Sequence, residues 1–310
     1  MPFKAVAWIL LSALALAAIL LFNYWASFQP LSTLTYAGIV LAIAGVANVI
    51  FPFRFLGIRR RITGLFILAG GLVFAALGLF WPAPVLRVAH AATRLDEIMP
   101  EYQFSERHTI SIHAQLEQVM QAIRESTFGD MRSLQSLLKV RGVFERGGSH
   151  DTSVFAQDKR ILDAFAASGY ISGGNDHEIL MVGGPDMRAR RPLEFHTLQE
   201  FADYRQPGAI KMAFDFDVQQ AGTGWCRVTA ETRVLALDDS TRRGMGRYWR
   251  LILPGSGLLR RQWLDGIKTR AETMTRLSSS ISLPERVPAR RRNHSVASYP
   301  LLSRLCSGVS

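Results

Sequence analysis

The sequence predicts an α+β protein: a curved antiparallel sheet around a long C-terminal helix, preceded by hydrophobic membrane helices. Three patterns carry that expectation. Long uncharged stretches fill the N-terminal quarter, two alternating segments flank a glycine-bearing turn, and helical periodicity runs from Asp239 to Leu277.

The membrane region comes first. No charged residue lies between Ala5 and Phe53, or between Ile62 and Leu86. A helix needs about 20 apolar residues to cross a bilayer core. Ala5–Phe22, Leu34–Phe51 and Ile62–Phe80 meet that need, so residues 1–82 read as a membrane region of about three transmembrane helices. Tyr24, Trp25 and Trp81 suit the interfaces. A cleaved signal peptide is the alternative for the first segment, but its apolar run exceeds the usual stretch of about 7–15 residues. Gly38, Gly45, Gly64, Gly70, Gly71 and Gly78 allow close helix approach, or simply reflect the abundance of glycine in membrane helices. The loop 54–61 holds Arg54, Arg59, Arg60 and Arg61, whereas the loop 27–33 holds no charge. By the positive-inside tendency, loop 54–61 is cytoplasmic and the large domain extracytoplasmic, although Arg87 and Arg94 pull the other way.

The net charge of +11 divides as +5 in residues 1–82, +2 in 83–277 and +4 in 278–310. The folded part is therefore almost neutral, which argues against a nucleic-acid partner. Two cysteines, Cys226 and Cys306, are too few for a disulfide framework. Residues 278–310, with Arg290, Arg291, Arg292 and the sequon Asn293-His294-Ser295, read as a basic disordered tail.

Within the domain, Tyr102–Ile112 alternates as a half-buried strand. Leu116, Val119, Met120 and Ile123 mark a helix over 115–125. Asp130 can cap a second helix carrying Leu134, Leu137 and Leu138, and a third covers Asp158–Ala167. Short strands follow at Tyr170–Ile171 and Ile179–Val182, then a helical turn at Glu200–Arg205. Ile210–Val218 and Trp225–Leu237 form the clearest hairpin. Asp239 can cap the last helix, which Pro254-Gly255-Ser256-Gly257 should kink or break.

This order, with the runs Thr229-Ala230-Glu231-Thr232-Arg233-Val234, Arg247-Tyr248-Trp249-Arg250-Leu251-Ile252 and Pro254-Gly255-Ser256-Gly257, resembles the START-like (SRPBCC, polyketide cyclase-like) superfamily in an uncharacterised bacterial, membrane-anchored branch. The resemblance spans about Met99–Leu277, taken as domain 99–277, and leaves the hydrophobic N-terminus outside. It implies a helix-grip fold around an internal cavity and, for such a branch, a bacterial inner-membrane location. Carried onto this chain, the cavity lining falls to Met212, Phe214, Phe216, Val218, Val228, Ala230, Thr232 and Val234 on the sheet, with Trp249 and Ile252 on the helix. The same residues can equally form a filled core. Each such side chain contributes about 1.5–3 kcal/mol when buried in either case.

Chemistry is sparse. P-loop, GxGxxG, GxSxG and HExxH motifs are missing from the sequence, so no catalytic residue, metal or cofactor is expected. His108 and His113 should face opposite ways on a strand, and His177–Glu178 and Glu194–His196 read as solvated loop neighbours or as acid–base candidates. Glu231 has two readings: a cross-strand ion pair with Lys211, or a buried carboxyl polarising a ligand carbonyl. The functional expectation is a non-catalytic, membrane-anchored module binding a hydrophobic lipid or polyketide-like ligand. A cyclase- or hydrolase-type cavity enzyme and a closed-core interaction protein are the alternatives.

Overall fold

A computed structural model describes residues 29–51, 61–136 and 155–281. The expected first span Ala5–Phe22, the helix residues Leu137 and Leu138, the sequon and nearly all of the tail lie outside the described residues.

Two helices long and apolar enough to cross a membrane come first, α1 (Pro30–Ile50) and α2 (Arg61–Phe80). They pack antiparallel along small residues. A Cβ placed on Gly38, Gly45 or Gly71 would collide with the backbone of the opposite helix, at Ala75, Leu68 and Ala42 respectively. Without side chains at these points, dispersion and weak polar contacts between backbones can hold the pair in an apolar medium. Gly70 differs, since nothing lies within 4 Å of its added Cβ.

The α+β domain follows. A two-residue strand β1 (Leu86–Arg87) pairs with β2 (Glu101–Tyr102) across a short helix α3 (Arg94–Ile98). Strand β3 (Phe104–Ile112) leads to α4 (Leu116–Arg124), a 3-10 turn at Phe128–Asp130, and α5 (Ile161–Ala167). Next come β4 (Ile171–Asn175), β5 (Glu178–Gly183), the small pair β6 (Pro185–Asp186) and β7 (Arg191–Pro192), and α6 (Leu198–Asp203). The hairpin β8 (Ile210–Gln220) and β9 (Cys226–Ala236) precedes α7 (Asp239–Ile281). The main sheet has five strands in the order β3-β9-β8-β5-β4, each neighbouring pair antiparallel. Because β9 closes beside β3, the first and last strands of the main sheet in chain order are neighbours, and β3 keeps one free edge.

Alternation assigns the two faces. Phe214, Phe216, Val218, Val228 and Ala230 face α7 and α4, packing with Trp263, Ile267, Val119, Met120 and Ile123. Nearer α1 and α2, Phe104, Ile210, Val234 and Ala236 meet Met245, Trp249 and Leu253 from the first half of α7. The opposite face puts Leu180, Val182 and Ala213 under Leu95, Met99 and Phe201 from α3 and α6. Both faces are thus covered, which explains why β5 is buried at every position.

Three sequence expectations need correction. The helix-start carboxylate is Asp238, one residue earlier than expected. Its Oδ1 accepts from the backbone N–H groups of Ser240 (2.9 Å) and Thr241 (3.0 Å). Those bonds hold its carboxyl down at about 2. The expected break at Pro254 does not occur, and α7 runs unbroken for 43 residues. Proline lacks the N–H that would bond the Arg250 carbonyl four residues back. The Tyr36 hydroxyl, from α1, donates to that Arg250 carbonyl instead, and lies 3.3 Å from the Leu251 carbonyl. In return the Arg250 guanidinium donates to Leu79 O (2.7 Å) and Trp81 O (2.8 Å), capping carbonyls that the end of α2 leaves without donors. Finally, Glu231 does not pair with Lys211. The register sets Lys211 opposite Leu235 and Asp215 opposite Glu231.

Candidate functional site

Among the expected lining residues, Phe214, Phe216, Val218, Val228 and Ala230 meet in one core cluster, with the Phe216 and Trp263 rings 4.7 Å apart. Met212, Val234 and Trp249 belong to a second cluster, and Ile252 is half-buried outside both. Thr232 lies between them and accepts a hydrogen bond from Arg260.

At that junction the face toward α7 becomes polar. Strand β3 places Glu106 opposite Thr232 and His108 opposite Ala230. Glu106 is 1 % exposed and His108 is 8 % exposed, both on the side shared with Phe104 and Ile112. Helix α7 supplies Ser256 and Arg260, four residues apart and hence on one stripe. The Ser256 hydroxyl donates to Glu106 Oε2 at 2.6 Å, and His108 Nε2 lies 2.8 Å from Glu106 Oε1. Gly257 permits this approach, since a Cβ there would stand 3.1 Å from Glu106 Oε1. The Arg260 guanidinium lies 5.6 Å from the centre of the Phe214 ring and 5.4 Å from that of Trp263. Burial lowers its pKa from the ordinary arginine value, and the Glu106 and Asp215 carboxyls oppose the shift. Its Nη1 is buried and has no hydrogen-bond partner.

A cleft of about 420 Å³ opens beside this cluster at the free edge of β3. His108 closes one wall, Ile110 and Leu264 give it apolar surface, and Arg107, Arg261 and Asp265 complete much of the rim. Its volume falls within the range of small-molecule pockets, about 300–1,000 Å³. A larger cleft of about 720 Å³ lies along the solvent side of α7, lined by polar residues such as Asp130, Gln262 and Arg270. Neither is lined by any of the ten residues expected from the sequence.

This arrangement suits holding a polar group better than forming a nucleophile. Ser256 donates to the carboxyl, not to His108, so the cluster lacks the Ser–His pairing of an activated serine. Among the described residues, no group of three His, Cys, Asp or Glu side chains could hold a metal ion. His177, Glu194 and His196 are exposed and lie outside the cluster. His113 is stacked 4.8 Å from Trp225.

The opposite face carries the denser charge. Buried Arg233 donates to Asp96 Oδ1 (2.6 Å), Glu231 Oε1 (2.7 Å) and Met99 O (3.1 Å), and Arg107 holds the other oxygen of Glu231. Glu178 accepts from Arg94 N (2.9 Å) and Leu95 N (3.1 Å), tying the start of α3 to the sheet. Burial beside Glu231 and Glu178 pushes the Asp215 carboxyl well above the usual carboxylate range. Arg233, Glu231 and Glu178 all have partners, so the network reads as a clamp between α3 and the sheet rather than an open site.

No family model matches the chain, and no curated protein matches it. Among solved structures, the hypothetical protein jhp0584 from Helicobacter pylori is similar over 60% of this chain and 99% of its own, at 9% identity and a TM-score of 0.29. A likeness that slight assigns neither a fold family nor a function.

Proposed function

We propose that this chain is a membrane-anchored, START-like module that binds a hydrophobic ligand, lipid or polyketide-like, by its polar head without catalysing a reaction. In this reading α1 and α2 cross the bilayer and the sheet grips α7 in the helix-grip manner. The observation that carries it is the buried Arg260 Nη1, a donor with no acceptor in the polar cluster whose His108 lines the cleft, where Ile110 and Leu264 add apolar surface. A buried guanidinium N–H left unpaired is costly, and a ligand carboxylate, phosphate or carbonyl would remove that cost. Ser256 lies six residues along α7 from Arg250, about 9 Å at 1.5 Å per residue. A bilayer-soluble molecule therefore has a short path to the cluster. Loop 54–61 joins the far ends of α1 and α2, away from the ends that meet α7, which favours an extracytoplasmic domain.

The packing of Phe214 and Phe216 against Trp263 supports the alternative of a closed-core interaction protein. Native mass spectrometry of the full chain released from detergent, followed by lipid extraction, separates the two. The ligand reading expects a reproducible amphiphilic adduct that Arg260→Met loses while melting cooperatively. A folded chain that carries no adduct and takes up no apolar probe would leave the closed-core reading standing.

A further inference from the structure

The first half of α7 lies where α1 and α2 meet the domain, and its outward face leaves Tyr248 and Leu251 uncovered beside exposed arginines. Thr35 meets Gly78, two residues before the end of α2, so Thr35 stands about 3 Å and Tyr36 about 4.5 Å inside the apolar span. The Tyr36 hydroxyl reaches the Arg250 carbonyl, and the Arg250 side chain reaches Leu79 and Trp81. Residues 247–251 of α7 are therefore level with the edge of the hydrocarbon layer. On that stretch Leu251 is 56 % exposed and Tyr248 40 %, beside Phe80 and Trp81 at 60 % and 58 %. Arg243 and Arg247 continue the stripe of Leu251 at four-residue spacing and are exposed, and Arg247 also lies 5.8 Å from the centre of the Phe80 ring. Apolar and aromatic residues followed by exposed arginines match the layering of a leaflet, from acyl chain to phosphate.

We infer that this face is a docking surface for bilayer phospholipid, with Tyr248 and Leu251 among the upper acyl chains and Arg243 and Arg247 on anionic phosphates. The inference rests on reading α1 and α2 as membrane spans, but it involves no residue of the proposed ligand site. Two things on the molecule identify the occupant: the face continues directly from the apolar helix ends, and its charge is complementary to phosphate. The domain is thus seated on the bilayer along α7.

The test uses the full chain carrying Cys306→Ser, with an environment-sensitive fluorophore on Leu251→Cys or, as a control, on Leu72→Cys in the middle of α2. Vesicles contain phosphatidylcholine and phosphatidylglycerol, with bromine quencher on one lipid or the other. The position-251 probe is expected to be quenched, and more by brominated phosphatidylglycerol. The expected local enrichment is about fivefold per arginine. Adding Arg243→Gln and Arg247→Gln should equalise the two lipids while leaving the probe quenched. Silence at 251 with quenching at 72 would overturn the docking, and equal quenching in the unsubstituted arginine background would overturn the phosphate assignment. Silence at 72 would instead remove the spanning reading, and this proposal with it.

Discussion

The carbonyl that Pro254 deprives of its helical donor offers a direct test of how α1 and α2 are joined to the domain. Arg250 is 3 % exposed, and the donor available to its carbonyl oxygen is the Tyr36 hydroxyl. Tyr36→Phe keeps the ring and removes the donor. Leaving a buried acceptor unsatisfied costs about 1–3 kcal/mol. Pro254→Ala restores a backbone N–H to the same oxygen and relieves a proline penalty of about 3 kcal/mol in a helix interior. With that N–H present, Tyr36→Phe should cost well under 1 kcal/mol, because a typical net hydrogen bond is worth about 1 kcal/mol and the oxygen keeps one. The two substitutions should therefore be coupled by about 1–2 kcal/mol in a double-mutant cycle. Unfolding of the full chain in detergent, followed by far-ultraviolet circular dichroism for all four variants, measures this. Equal costs for Tyr36→Phe in both backgrounds would refute the idea that the tyrosine serves the proline's orphaned carbonyl.

Other outcomes follow from single sites. Gly71→Leu should separate α1 from α2 and lower the melting temperature, whereas Gly70→Leu, which meets open space, should change it little; thermal unfolding in detergent compares them. Arg233→Met removes the buried cation that Asp96 and Glu231 share, leaving Glu231 to Arg107 alone, and should cost about 3–5 kcal/mol in chemical denaturation. Burial pulls the Lys211 ammonium down to about 8, so the unfolded chain holds more protons above that pH. Stability should then rise between about pH 8 and 10.5, and denaturation curves of Lys211→Met should lose that part of the slope. Gly257→Ala crowds Glu106 and should shift the carboxyl stretch of Glu106 in difference infrared spectra.

What the sequence showed depended on whether the deciding forces were local. Strands β8 and β9 were legible because both alternate cleanly and share a turn, and the structure moves their ends by only one or two residues. The glycines of α1 and α2 were visible, but not which ones touch. Gly70 and Gly71 are adjacent in sequence yet face opposite ways, and only the partner helix distinguishes them. Pro254 misled because its helix-breaking effect is local, whereas its remedy, Tyr36, is more than 200 residues away. The polar cluster left a faint trace, since Glu106 and His108 sit among apolar residues on the buried face of β3. Its other half, Ser256 and Arg260, comes from α7, and strand periodicity carries no information about that pairing. Glu231 was noticed for its chemistry but given Lys211 as its ion-pair partner, because alternation fixes a face without saying that Arg107 and Arg233 are its neighbours there.

The exchange between Arg250 and Tyr36 also sets an order of assembly. Until α1 and α2 are in place, α7 has a carbonyl without a donor in its middle and α2 has bare carbonyls at its end. Each defect is cured by the other element, so neither is complete alone. A chain whose α1–α2 pair fails to form would carry a domain weakened at its longest helix, and a helix pair severed from the domain would fray at Leu79–Trp81. Formation of the α1–α2 pair and domain closure become a single cooperative event, and the Tyr36 hydroxyl is required for as long as Pro254 is present.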